Sequence, residues 1–485
     1  MSKNIFKLSR KNYNNLSGKI GITLLLLCTT AYSQDLFINN LDSSIDKCYP
    51  KILNAIIEQE LNQSKVTQNK SPFDTKINGD ATQRSGSTYD TSYQKVAVEK
   101  RFYDSPISAY SGFDISTGYT PQYDSAQITS SQGREFVGLK LNLLSGFAID
   151  KDRLELYNSV LDSDKAHYEI DLSKLIVKTD AIKAYMAWVI AGSELKAYQK
   201  LLDLAVNRQK ALEKRLRHGD VSKISVTENY NYVLKRKIKV MSAKNYFNQA
   251  SLSLAMYYRD NKCSIETPSE KMLPNNPPLD KTLKSNSDLD EINSAIRNRP
   301  EFKVIETQLA KIRKEQEFGE TSMLPKLDVN VQYNQNNSST ATTSYFTINQ
   351  QEMVAKANFS MPLERRYGKG LSSAAIQKMT KLQNERQFLV DQIATKIKSL
   401  HYTVNNTAEQ ITLAKSEYDL ATQLVNAENE KINNGEGNFF MLNAREESMT
   451  NSYLSYLNSL YENYRAVIEY NFLNGQNVNL DKLYK

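Results

Sequence analysis

Arg217-His218-Gly219-Asp220-Val221-Ser222 and Asn434-Gly435-Glu436-Gly437-Asn438 are the stretches whose reading decides the fold. Each closes a helical pattern of more than 60 residues and opens a shorter one. A glycine stands in each where a helix commonly ends in the left-handed conformation. Gly219 and Gly435 lie 216 residues apart. Upstream of the first turn, Val137-Gly138-Leu139-Lys140-Leu141-Asn142-Leu143 alternates apolar and polar residues as a strand does. At an offset of 217, Val354-Ala355-Lys356-Ala357-Asn358-Phe359-Ser360 takes the corresponding place, with its apolar face in the neighbouring phase. A spacing kept from strand to turn across more than 80 residues reads as an internal duplication.

The long helices run from about Asp152 to Arg217 and from about Leu371 to Asn433. At 1.5 Å per residue each is on the order of 90–100 Å long, far beyond a globular helix. Their apolar stripes are narrow. Leu195, Tyr198, Leu202, Ala205, Leu212 and Leu216 keep a three-and-four spacing, broken once at Gln209. Ile393, Ile397, Leu400, Val404, Ala408, Ile411, Ala414, Tyr418, Ala421 and Val425 do the same. Such a stripe suits helices packed side by side in a coiled-coil seam.

Period-2 segments separate the chain from a plain helical rod. Phe73, Thr75 and Ile77 alternate with polar residues, as do Phe113 to Tyr119 and Leu327 to Tyr333. Tyrosine-bearing segments of about ten residues between polar turns fit outer-membrane barrel strands. Four to six of them can be found, whereas a membrane barrel needs at least about eight strands to close. Open edges cannot stand in lipid, so strands of this number entering a membrane imply a barrel shared by several chains.

The N-terminus reads as a secretory leader over residues 1–33. Lys3, Lys7, Arg10, Lys11 and Lys19 precede an apolar run from Ile20 to Cys28, and Ala31-Tyr32-Ser33 offers a cleavage site before Gln34. Leu27 before Cys28 argues against a lipoprotein signal. The formal charge of +8 includes those five basic residues, leaving about +3, which gives no basis for nucleic-acid binding. Cys48 and Cys263 remain after the leader, and pairing and free thiols both stay open. His167, His218 and His401 have no partner at a metal or nucleophile spacing, and no phosphate-binding glycine loop occurs. No enzyme and no cofactor is expected.

Gly219-Asp220-Val221-Ser222, Ala295-Ile296-Arg297-Asn298-Arg299-Pro300-Glu301, Met323-Leu324-Pro325-Lys326-Leu327 and Gly435-Glu436-Gly437-Asn438-Phe439, in this order and spacing, resemble the TolC family of outer-membrane efflux proteins. The resemblance spans nearly the whole mature chain. It implies a mainly α fold with membrane β: a long coiled-coil helical barrel joined to a shared transmembrane β-barrel, internally duplicated. The first repeat would cover 34–262, with strands at about 73–145 and a helical hairpin at about 152–260. An equatorial linker at 263–298 would lead to a second repeat at 299–472, with strands at about 326–363 and a hairpin at about 371–472, and a tail at 473–485. The family implies a homotrimer in the outer membrane with a large periplasmic part. Four strands per chain would build a barrel of twelve. It would be a passive duct for efflux or type I secretion, meeting a periplasmic adaptor and an inner-membrane pump at its tip. Tip candidates are His218, Gly219, Asp220, Val221, Ser222, Gly435, Glu436, Gly437, Asn438 and Asn443. Two departures stand out. The first-half strand region is longer by about 36 residues, room for an extra hairpin at Ser92–Phe102 and Ser108–Thr120. Met441 and Asn443 occupy places where the family often carries an acidic constriction. An exported structural or adhesive coiled-coil protein is the alternative class, which leaves the doubled strand-helix-turn order unexplained.

Overall fold

The computed structural model describes residues 41–87, 90–119, 128–274, 288–339 and 349–476. The leader, part of the linker and the end of the tail lie outside them. A helical stretch over 41–48 leads into α1 (Pro50–Asn69), then β1 (Lys76–Ser85), β2 (Asp90–Arg101), β3 (Ile107–Tyr119) and β4 (Arg134–Leu144). The long α2 (Lys151–Arg217) and returning α3 (Lys223–Ala255) follow. The second half repeats the order with α4 (Asp288–Asn298), α5 (Pro300–Thr321), β5 (Lys326–Asn336), β6 (Gln351–Ser360), α6 (Arg366–Asn433) and α7 (Phe439–Leu473). Pro50 and Pro300 both stand at the start of a helix, where a missing N–H costs nothing.

The long helices have 67 and 68 residues, about 100 Å each. α2 packs along α3, and α6 along α7. The second-half stripe is buried as read from Ile393 to Val425, except that Tyr418 is half-buried and Thr407 rather than Ala408 faces the seam. In the first half Leu201 is buried instead of Leu202, so the seam runs Leu195, Leu201, Ala205, Arg208, Leu212. The main apolar core gathers Tyr185, Trp188, Phe247, Leu254, Tyr464 and Ile468 with Leu41, Ile45 and Ile52 from the N-terminal helical segments. A second core sets Phe302 against Ile393, Ile397, Leu400 and Val467. Cys48 and Cys263 form a disulfide that ties the N-terminal segment to the end of the first hairpin.

One strand reading needs correction. Phe73 lies in a short 3-10 turn and is buried, and β1 begins only at Lys76. Val137 lies level, through Tyr333, with Met353, and Val354 faces the other side of the sheet, in keeping with its neighbouring phase. The expected linker also contains a helix, α4. The extra hairpin exists as β2 and β3, and the six strands of the described residues form one antiparallel meander in the order β1-β2-β3-β4-β5-β6. No helix among the described residues is long and apolar enough to cross a membrane.

Candidate functional site

The two helix turns are built alike. Gly219 and Gly435 take φ of +81° and +82°, the left-handed region that other residues resist. The Asp220 N–H donates to the Arg215 carbonyl at 3.0 Å and the Gly219 N–H to Leu216 at 3.1 Å. The Glu436 N–H donates to Lys431 at 2.9 Å and the Gly435 N–H to Ile432 at 3.1 Å. These bonds satisfy the last free carbonyls of α2 and α6. Lys214, Arg215, Arg217 and Lys431 sit in the last turns, where cations oppose the negative helix end. Past the turns, Asn438 caps α7 by accepting the Phe440 N–H at 2.8 Å. Ser222 opens α3 with its hydroxyl 3.0 Å from that of Ser225. The Arg215 guanidinium lies 5.9 Å from the Phe439 ring, and Tyr232 meets Phe440 edge-on. Both turns therefore share one end of the molecule. His218, Gly219, Asp220, Ser222, Gly435, Glu436 and Asn438 are exposed there, with Val221 and Gly437 half-buried.

Asn443 stands apart from that surface. It is buried in a polar cluster one helical turn deeper, with residues that the sequence reading missed. Glu446 on α7, 1% exposed, accepts Arg208 of α2 at 2.5 and 3.1 Å and Arg236 of α3 at 3.1 Å. Asn443 Oδ1 accepts the same two guanidiniums at 2.5 and 3.1 Å. Arg236 also donates to the Leu201 carbonyl at 2.9 Å, and Asn229 to that of Ala205 at 3.1 Å. Burial pushes the Arg236 guanidinium below its ordinary value, and the Glu446 carboxylate works against that shift. One buried acid thus joins three helices from both hairpins. The signal in the sequence was the break in the first-half stripe: Arg208, beside Gln209, occupies the seam position there.

The sheet has two unlike faces. Ile77, Val98, Ser111, Val137, Tyr333 and Met353 lie in one row across all six strands. With Val96, Phe113, Leu139 and Phe359 they form a face that is apolar yet solvent-accessible in the single chain, Ile77 at 75% and Met353 at 74%. The opposite face carries Lys76, Asp80, Lys95, Asp114, Arg134, Lys140 and Lys356 among amides. There Asp114 pairs with Arg134 at 2.6 Å and accepts the Tyr93 hydroxyl at 2.8 Å. Apolar out and polar in, on alternate residues, is the pattern of a barrel wall between lipid and a wet interior.

The sequence matches no family model and no curated protein. Solved structures do match over almost the whole chain. The outer membrane protein VceC of Vibrio cholerae superposes with a TM-score of 0.62 at 11% identity, covering 92% of this chain and 98% of that one. The CmeC outer membrane channel of Campylobacter jejuni gives 0.54 at 14% identity over 98% and 95%. The open-state MtrE outer membrane channel of Neisseria gonorrhoeae gives 0.62 at 10% identity over 91% and 90%. This chain has the TolC-type channel fold. The TolC-type arrangement accounts for the doubled order of strand, long helix, glycine turn and returning helix. It also makes the shared end of the two hairpins the tip farthest from the sheet. The sheet itself departs from the expectation of four strands per chain.

Proposed function

We propose that the chain is a passive outer-membrane export duct, three copies of which share one barrel and one helical tunnel. The observation that carries this reading is the apolar, exposed face running across six strands, which water would not tolerate and lipid would cover. In the same reading the helices form the periplasmic tunnel, consistent with a leader at residues 1–33 and with a disulfide, which an oxidising compartment favours. The turn residues His218 to Ser222 and Gly435 to Asn438 would meet a periplasmic adaptor bound to an inner-membrane pump. The pump would supply both the energy and the choice of cargo, drug or protein. Asn443 and Glu446 would act from inside, holding α7 to the α2–α3 pair while the tip is closed. Opening would then shift one hairpin against the other and loosen this cluster. The test is outer-membrane fractionation followed by mass measurement in detergent. A particle of three chains in that fraction is the expected result. A soluble monomer or dimer would overturn the reading.

A further inference from the structure

We propose that all six strands of each chain enter the barrel wall, and that β6 of one copy pairs with β1 of the next in a fixed register. This rests on the trimeric channel reading above, and it makes the barrel one of eighteen strands rather than twelve. Three observations carry it.

The first is where the additional hairpin is rooted. The β2–β3 connection at 102–106 sits on the start of α2: Arg101 pairs with Asp150 at 2.8 Å and with Asp152, and Arg153 donates to the Ser105 carbonyl. The hairpin therefore rises from the same base as the other strands. The six strands have 10, 12, 13, 11, 11 and 10 residues. About 9–11 residues at a tilt near 45° cross a bilayer, so every one is long enough. Val96 and Val98 of β2 and Phe113 of β3 carry the apolar face onto the additional hairpin.

The second is the two edges. β1 and β6 are the unpaired edges of the sheet, each 10 residues long, and their backbone groups need partners in lipid. With six alternating strands, β1 and β6 run in opposite directions, so joining copies edge to edge keeps the whole wall antiparallel. Set end to end, Lys76 faces Ser360 and Ser85 faces Gln351. That register brings Asp80 opposite Lys356 and Arg84 opposite Glu352 on the polar face, with Ile77 opposite Phe359 and Ala81 opposite Ala355 on the apolar one. A slip of two residues sets none of these charges opposite its counter-charge. A slip of four brings like charges together, Asp80 to Glu352 or Arg84 to Lys356. An odd slip turns one strand's apolar face inward.

The third is closure. The row that starts at Lys76 passes through Glu99, Tyr110, Gly138 and Gln332 and reaches β6 at Val354, six residues from Ser360. With the end-to-end seam, the wall therefore climbs one residue per strand around the whole ring. An eight-strand barrel of shear eight has that same ratio and tilts by about 36°. The value falls inside the roughly 35–45° of outer-membrane barrels. Diameter grows with strand number, so the pore would be about half as wide again as one of twelve strands.

The experiment is cysteine pairing across the seam in the full trimer, with the native disulfide left in place. Thr82→Cys with Val354→Cys places the two thiols directly opposite on the polar face. The expected result is covalent linkage into dimers and trimers by denaturing electrophoresis, with little linkage for Thr82→Cys combined with Lys356→Cys. A trimer by detergent mass in which Val354→Cys links to Ser116→Cys on β3 instead would overturn the proposal. The β1–β2 hairpin would then lie outside a twelve-strand wall. A trimer in which the Thr82 and Val354 pair stays unlinked also overturns it, and leaves the channel reading standing. Failure to find a trimer at all sinks the channel reading itself.

Discussion

Glu446 answers two buried guanidiniums at once, so its loss leaves Arg208 and Arg236 without the carboxylate they share. Breaking a buried pair from one side costs about 3–5 kcal/mol. Glu446→Gln keeps the shape and should lower the urea midpoint by an amount equivalent to that range. An unchanged midpoint would mean that water already reaches the cluster. Tyrosines give a second residue-scale expectation. Burial pushes Tyr257, stacked on Tyr49, and Tyr470, beside Glu291, up to about 12. In the folded state they hold their protons above the pH at which the unfolded chain loses them. Their stabilising contribution is present below about pH 10 and is lost as pH rises toward 12. The melting temperature should fall across that window, and Tyr257→Phe should flatten part of the fall.

At the scale of elements, the helix turns and the strands make separate demands on the chain. Nothing lies within 4 Å of a side-chain carbon added at Gly219 or Gly435. The cost of Gly219→Val is therefore backbone strain alone, about 1–2 kcal/mol. Because the turn is exposed, faster hydrogen exchange in the last turns of α2 should report that loss, with little change in the exchange of Trp188 and its neighbours. For the sheet, the two faces predict opposite tolerance. Val96→Arg, midway along β2 on the apolar face, should destabilise the assembled barrel by about 2–4 kcal/mol. Asn78→Arg on the polar face of the neighbouring strand should be far milder. Equal effects in lipid-vesicle unfolding would contradict the assignment of faces.

At the scale of the molecule, the disulfide closes a loop of 215 residues and joins the N-terminal segment to the far end of the first hairpin. Long loops gain most from a cross-link, with typical values of about 2–4 kcal/mol. Cys48→Ser with Cys263→Ser should lower thermal stability and free the 41–48 segment to proteolysis, while the oligomer remains. The segment contributes Leu41 and Ile45 to the core around Trp188, so its loss would be felt there first. The cluster at Glu446 works at the same scale, because it is where the second hairpin is bound to the first near the tip.

The sequence by itself determined the duplication, the two long helices and their turns, because glycine position and apolar spacing are local properties written along the chain. The positions of the additional hairpin were legible for the same reason: alternation in Ser92–Phe102 and Ser108–Thr120 survives as β2 and β3 within a residue or two. Only the tertiary structure decided how these pieces meet. Leu201 rather than Leu202 faces the seam because the partner helices, not the stripe alone, set the rotation of α2. Register, too, belongs to the fold: Val137 meets Tyr333 on a strand more than 180 residues away. The pairing of Cys48 with Cys263 and the gathering of Arg208, Arg236, Asn443 and Glu446 are contacts between distant segments. No local pattern encodes such contacts, because the free energy that selects them belongs to the packed fold.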